Sequence, residues 1–154
     1  MAVFLEQIPK KPGRYVLLLW LAKSTPLRAG ALGQYAFPRG WYTYVGSAYG
    51  SGGLHARLKR HWRNDQKKAL HWHIDYLRRA CALREIWWQT GRHGKECLWG
   101  KRLSQMPQAR IIAPRFGSSD CRCSTHLLSF PNKNFAKSCA LGLTDTMTRL
   151  LIGL

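Results

Sequence analysis

The sequence predicts a small mixed α/β (α+β) domain, with a central three-stranded sheet flanked by helices. Three observations lead there. A near-continuous apolar run, Tyr15–Ala22, has the length of a buried strand. A second run, Trp41–Val45 (WYTYV), is made of the aromatic and β-branched residues that strands favour. Between these and a third strand-like segment, Leu83–Gln89, apolar residues recur at helical spacing, so strands and helices alternate.

A Pro-Gly turn in Lys10–Gly13 leads into the first strand. Ser24–Gly40 reads as a loop, because Pro26, Gly30, Gly33 and Pro38 keep interrupting it. After the second strand, Gly46–Gly53 (GSAYGSGG) reads as a flexible glycine-rich connection. A helix is expected from about Leu54, since Leu54, Leu58, His61 and Trp62 fall on one side. Arg57, Lys59, Arg60 and Arg63 project elsewhere, and Lys67 and Lys68 extend the basic run. His71–Ala80 reads as another helix, with Trp72, Tyr76 and Ala80 on one face. Past Leu83–Gln89, the turn Gly91–Gly94 leads to a helix from Glu96 to about Met106. A short strand at Arg110–Ala113, a turn-rich FGSSDCRC segment and a short apolar stretch at His126–Phe130 follow. Residues 10–130 form the expected domain, and residues 131–154 read as a C-terminal tail or loosely docked helix.

Composition narrows the function. With 25 Lys and Arg against 7 Asp and Glu, the 154-residue chain carries a formal charge of +18. So much like charge repels itself in a compact state, which a polyanionic partner such as nucleic acid offsets. A basic membrane-surface helix would need an apolar face opposite the cations, and none stands out. The segment before Pro9 is too weakly apolar for a signal peptide, and Val16–Ala22 is too short to span a membrane. Five irregularly spaced cysteines, Cys81, Cys97, Cys121, Cys123 and Cys139, argue for a reducing, cytoplasmic setting over a disulfide scaffold.

Gly13-Arg14-Tyr15 opens the first strand, and Tyr44-Val45-Gly46 closes the second. An arginine on the next helix and an isolated glutamate follow. Together these features resemble the GIY-YIG endonuclease superfamily. Longer stretches, YVGSAYGSGGLHARLKRH (44–61), HWHIDYL (71–77) and FGSSDCRCSTHL (116–127), resemble one branch of it. Members of that branch are sometimes fused to, or encoded beside, endonuclease III-type repair proteins. The resemblance implies a GIY-YIG-like sandwich and a divalent-metal-dependent endonuclease that hydrolyses DNA phosphodiesters, in repair or processing. By the same resemblance Tyr15 and Tyr44 activate water, Arg57 meets phosphate charge, His61 assists, and Glu96 holds one Mg²⁺ or Mn²⁺. Lys59, Arg60, Arg63, Lys67 and Lys68 would hold the nucleic-acid backbone.

Chemistry makes these roles reasonable and leaves alternatives. A phenol with its ordinary pKa near 10 needs nearby cations to act as a base; otherwise both tyrosines are core aromatics. The planar guanidinium of Arg57 suits a phosphate oxygen, or belongs to a solvated face. His61, between Leu58 and Trp62, is as readily a satisfied core residue. Glu96 suits a hard cation, or is an acid interacting with a helix dipole. His71, His73 and Asp75 support the site, contact DNA, or hold structure. Cys121, Cys123 and His126 could bind zinc, with Cys97 or a histidine as fourth ligand, or form a buried turn of inert thiols. The glycine-rich loop lacks the Gly-Lys-Ser/Thr ending of a P-loop, which excludes nucleotide hydrolysis. Two departures stand out from the superfamily pattern: a longer gap between Tyr15 and Tyr44, and no asparagine after Glu96 before Asn132. The rival readings are a non-catalytic nucleic-acid-binding module and an accessory domain docking on a repair enzyme.

Overall fold

In a computed structural model, which describes residues 5–92, 94, 96–144 and 146–152, the apolar run becomes strand β1 (Gly13–Leu21). From Tyr15 to Leu21 it is apolar because both its faces are covered. Tyr15, Leu17, Leu19 and Leu21 enter one core, and Val16 and Leu18 enter a second. Full burial of each leucine is worth about 1.5–3 kcal/mol. A hairpin follows, β2 (Thr25–Arg28) and β3 (Gln34–Phe37), joined by a 3₁₀ turn at Gly30–Leu32. The segment expected as loop is thus a separate two-stranded ribbon, whose Phe37 packs into the first core.

Next come β4 (Gly40–Ala48), helix α1 (Gly53–Trp62), the short helix α2 (His73–Arg78), β5 (Ala82–Thr90) and helix α3 (Glu96–Ser104). The chain closes with β6 (Leu127–Phe130), helix α4 (Lys133–Leu141) and β7 (Thr148–Leu151). The main sheet has five antiparallel strands in the order β6-β4-β1-β5-β7, not three. The three expected strands form its middle, and β6 and β7 extend it on either side. α1, α2 and the ribbon cover one face, while α3 and α4 cover the other.

Two further expectations change. Arg110–Ala113 makes only an isolated bridge, Arg110 to Ser129, in place of a strand. Where a tail or loosely docked helix was expected at residues 131–154, the described ones include α4, whose Ala136, Cys139 and Ala140 sit in the second core, and β7, which completes the sheet. The buried carboxylate of Glu85 in β5 fastens both elements, pairing with Lys137 at 3.0 Å and Arg149 at 2.8 Å. Leu150 reaches the first core from β7. His93 in the expected Gly91–Gly94 turn, and the last two residues, lie outside the described residues. Among the described residues, no helix is long and apolar enough to cross a membrane.

Candidate active site and metal centre

The site forms at the end of the sheet where β1 begins and β4 finishes. Antiparallel register sets Tyr15 opposite Gly46 and Leu17 opposite Tyr44, so the two tyrosines share a face one step apart. Gly46 is required there. A Cβ at this position would lie 2.3 Å from the Tyr15 hydroxyl oxygen, so only glycine lets the phenol cross β4. Gly117 plays the same part for Tyr44. Its backbone has φ +74, and an added Cβ would lie 2.9 Å from the Tyr44 ring.

α1 crosses this end of the sheet and points His61 inward. His61 Nε2 and the Tyr15 hydroxyl lie 2.6 Å apart in a hydrogen bond, and His61 is 1% exposed. Burial, helped by the charge of Lys68, lowers the His61 pKa to about 3. The imidazole is therefore neutral near pH 7 and offers one acceptor nitrogen. Arg57, one turn earlier, stacks its guanidinium 4.3 Å from the centroid of Trp72. Burial raises both tyrosine pKa values, Tyr15 most strongly, while the Arg57 charge opposes the shift. A phenol acting as a free base would need such cations to prevail. Desolvation wins instead, so both phenols rest as neutral hydroxyls.

Tyr15, Tyr44, Arg57, His61 and Glu96 all line one cavity of ≈ 260 Å³, with Trp72, Asp120 and His126. Glu96 arrives in the first turn of α3, from the opposite layer of the sandwich. Asp120 is a second carboxylate that sequence reasoning passed over within the FGSSDCRC turn.

The basic run is less free than its sequence suggests. Lys68, expected to face nucleic acid, is buried at 4% exposure with its ammonium 3.2 Å from Asp75. Arg60 also binds Asp75, at 2.6 Å, and Arg63 binds Asp65 at 2.5 Å. Lys59 and Lys67 are exposed. Asp75 further accepts from the backbone N–H groups of His71 and Trp72, each at 2.9 Å. The HWHID motif thus shapes the wall of the site: Asp75 fixes α2 and the Arg60 guanidinium, which lies 4.5 Å from the Trp72 ring. His73 accepts from the Gly117 N–H at 2.9 Å, steadying the loop behind Tyr44.

Cys97, Cys121, Cys123 and His126 form a second cluster beside this cavity, their ligand atoms all within 4.8 Å of one another. The fourth partner of the C-x-C-x₂-H motif is Cys97. The cluster could hold a metal ion. A larger groove of ≈ 560 Å³ opens on its outer side, lined by the three cysteines with Lys101, Asp120 and Arg122. That groove lacks the tyrosines, the arginine and the histidine of the smaller cavity, whose convergent polar groups make it the better candidate for chemistry.

The family described as "Domain of unknown function DUF123" matches residues 14–149, which contain both clusters. Searches of curated proteins and of solved structures find no match.

Proposed function

We propose that this chain, which belongs to the DUF123 family, is a divalent-metal-dependent endonuclease that hydrolyses phosphodiester bonds in DNA. One observation carries the reading: Tyr15, Tyr44, Arg57, His61 and Glu96 come from four separate elements yet line one cavity, with Tyr15 hydrogen-bonded to His61. The resemblance to GIY-YIG nucleases named these five residues together, and their convergence supports it. The +18 charge of the chain suits a polyanionic substrate.

The residues divide the work as follows. Water attacks phosphorus, forming a new P–O bond as the bond to the leaving sugar oxygen breaks; that oxygen takes up a proton from solvent, and His61 returns its own to solvent afterwards. The water proton passes to the Tyr15 oxygen while the Tyr15 proton passes to His61 Nε2, an uptake that the negative charge of the entering phosphate must favour, since burial otherwise keeps this imidazole neutral. A high phenol pKa is no obstacle to such a relay, because no free phenolate forms. Tyr44 donates a hydrogen bond to the reacting oxygens, and Arg57 meets the charge that develops on the phosphoryl group. The donor set fits Mg²⁺ or Mn²⁺: Glu96, with Asp120 on the same cavity, supplies the hard oxygens such ions prefer. When bound, the ion would supply Lewis-acid charge at the phosphoryl oxygen. The sequence resemblance, rather than the site, suggests an endonuclease III-type repair protein as a partner.

The direct test incubates the protein with nicked, flapped and branched DNAs in Mg²⁺, Mn²⁺ or EDTA. Cleavage that requires the divalent ion supports the reading. Tight binding without cleavage on every substrate would replace it with a non-catalytic binding module.

A further inference from the structure

We infer that Cys97, Cys121, Cys123 and His126 bind one structural zinc ion in a closed tetrahedral site. The inference stands apart from the nuclease reading. It needs no DNA and no hard-cation site.

Geometry points to it first. In a tetrahedron with Zn–S near 2.3 Å and Zn–N near 2.0–2.1 Å, sulfur and nitrogen ligands lie about 3.6 Å apart. Cys121 Sγ lies 3.5 Å and Cys97 Sγ 3.7 Å from His126 Nε2. No pair of the four ligand atoms is further apart than 4.8 Å. Small side-chain adjustments close such a set around one ion.

Donor chemistry agrees. Three thiolates and an imidazole are soft and borderline ligands that select Zn²⁺ over Mg²⁺ or Mn²⁺. Three thiolates with Zn²⁺ carry one net negative charge, which the strongly basic chain accommodates. All four positions are taken by protein, so no open site is left for a substrate: the ion is structural.

The backbone is already folded for the task. C-x-C is a tighter spacing than most zinc sites use, and Arg115 makes it workable. Arg115 has φ 68, a left-handed conformation rare outside glycine. Its guanidinium donates to the carbonyls of Ser118 and Cys123, each at 2.8 Å, and of Cys121 at 2.5 Å. Its N–H donates to Ser124 O at 2.6 Å, and the His126 N–H to Phe116 O at 2.8 Å. The loop is thereby closed into a knuckle whose ligands point together. Cys97 comes from the first turn of α3, beside Glu96, and His126 from the residue before β6. The ion would therefore clamp α3 to the knuckle and fix the floor of the tyrosine cavity, which His126 also lines.

The test is elemental analysis of the full chain, purified under reducing conditions and dialysed against metal-free buffer. About one zinc per chain is expected, released when the thiols are blocked with a mercurial. Replacement by Co²⁺ should give the intense visible bands of a tetrahedral thiolate site. Cys123→Ser and His126→Ala should each weaken zinc affinity at least about ten-fold, while Cys139→Ser, outside the cluster and buried in the second core, keeps the full complement. Wild-type protein without zinc even after refolding with added Zn²⁺ would overturn the inference. So would an octahedral Co²⁺ spectrum, or a disulfide joining two of the four ligands that persists in protein purified under reducing conditions. Those three readouts use the wild type, so a variant that fails to fold leaves the inference testable.

Discussion

Acidification should unfold this protein partly through one residue, His61. The imidazole is buried at 1% exposure and its pKa is lowered to about 3. An unfolded histidine has a pKa near 6.5. Below about 6.5 the unfolded chain takes up a proton that the folded chain refuses, so stability is complete above that pH and is lost down to about 3. At pH 5 the unfolded imidazole is almost fully protonated and the folded one almost fully neutral, a difference of about 2 kcal/mol. The perturbation is His61→Gln, which keeps a hydrogen-bonding partner for Tyr15 but cannot titrate. Urea unfolding of both proteins at about pH 7.5 and pH 5 measures the effect, and subtracting the variant removes every other titrating group. The stability advantage of wild type over variant should shrink by about 2 kcal/mol on acidification. Parallel pH profiles would show that His61 is not held neutral by burial, and would refute this reasoning.

Other outcomes follow from the same geometry. Arg57→Ala should slow cleavage by roughly 10²–10³-fold, the usual loss of one well-aimed charge, with a smaller effect on DNA binding. Lys67→Ala, on the exposed part of the basic run, should weaken binding slightly and leave the saturated rate unchanged; single-turnover kinetics with gel-shift titration separates the two. Gly46→Ala forces a Cβ to within 2.3 Å of the Tyr15 oxygen. It should cost about 1–3 kcal/mol in urea unfolding and displace Tyr15, lowering the cleavage rate with little change in affinity.

Much of the fold was legible because local patterns matched their final surroundings. From Tyr15 to Leu21 β1 is apolar because both its faces are covered, and β4 and β5 carry the aromatic residues that strands favour. Leu54 and Leu58 marked the buried side of α1. The missed elements depend on distant partners. β2 carries Pro26, which breaks a strand pattern but is tolerated in a two-stranded ribbon. β7 is only four residues long, largely exposed, and held by Arg149 to Glu85, sixty-four positions away. Nothing local distinguishes Lys68 from Lys67. Only the return of Asp75 on the next helix buries one and leaves the other in water. The site was legible in the resemblance, which named residues from separate elements that the structure then brings to one cavity. Asp120 was not, because a turn residue shows no periodicity. The C-x-C-x₂-H signal was visible, but its fourth ligand was fixed only by the approach of α3.

The measurement that tests the central claim most directly is metal-dependent cleavage by Glu96→Gln. Glutamine keeps the side chain's size and reach but lacks the anionic oxygen a hard divalent ion needs. The zinc ligands, Cys97 included, are untouched. The variant should fold, bind DNA at least as well as wild type because it is one unit more positive, and lose nearly all Mg²⁺-dependent cleavage. If Glu96 only interacts with the dipole of α3, the substitution costs about 0.3–1 kcal/mol of stability and cleavage continues at the wild-type rate. That second result would remove Glu96 from the site and contradict the proposed metal-dependent hydrolysis there.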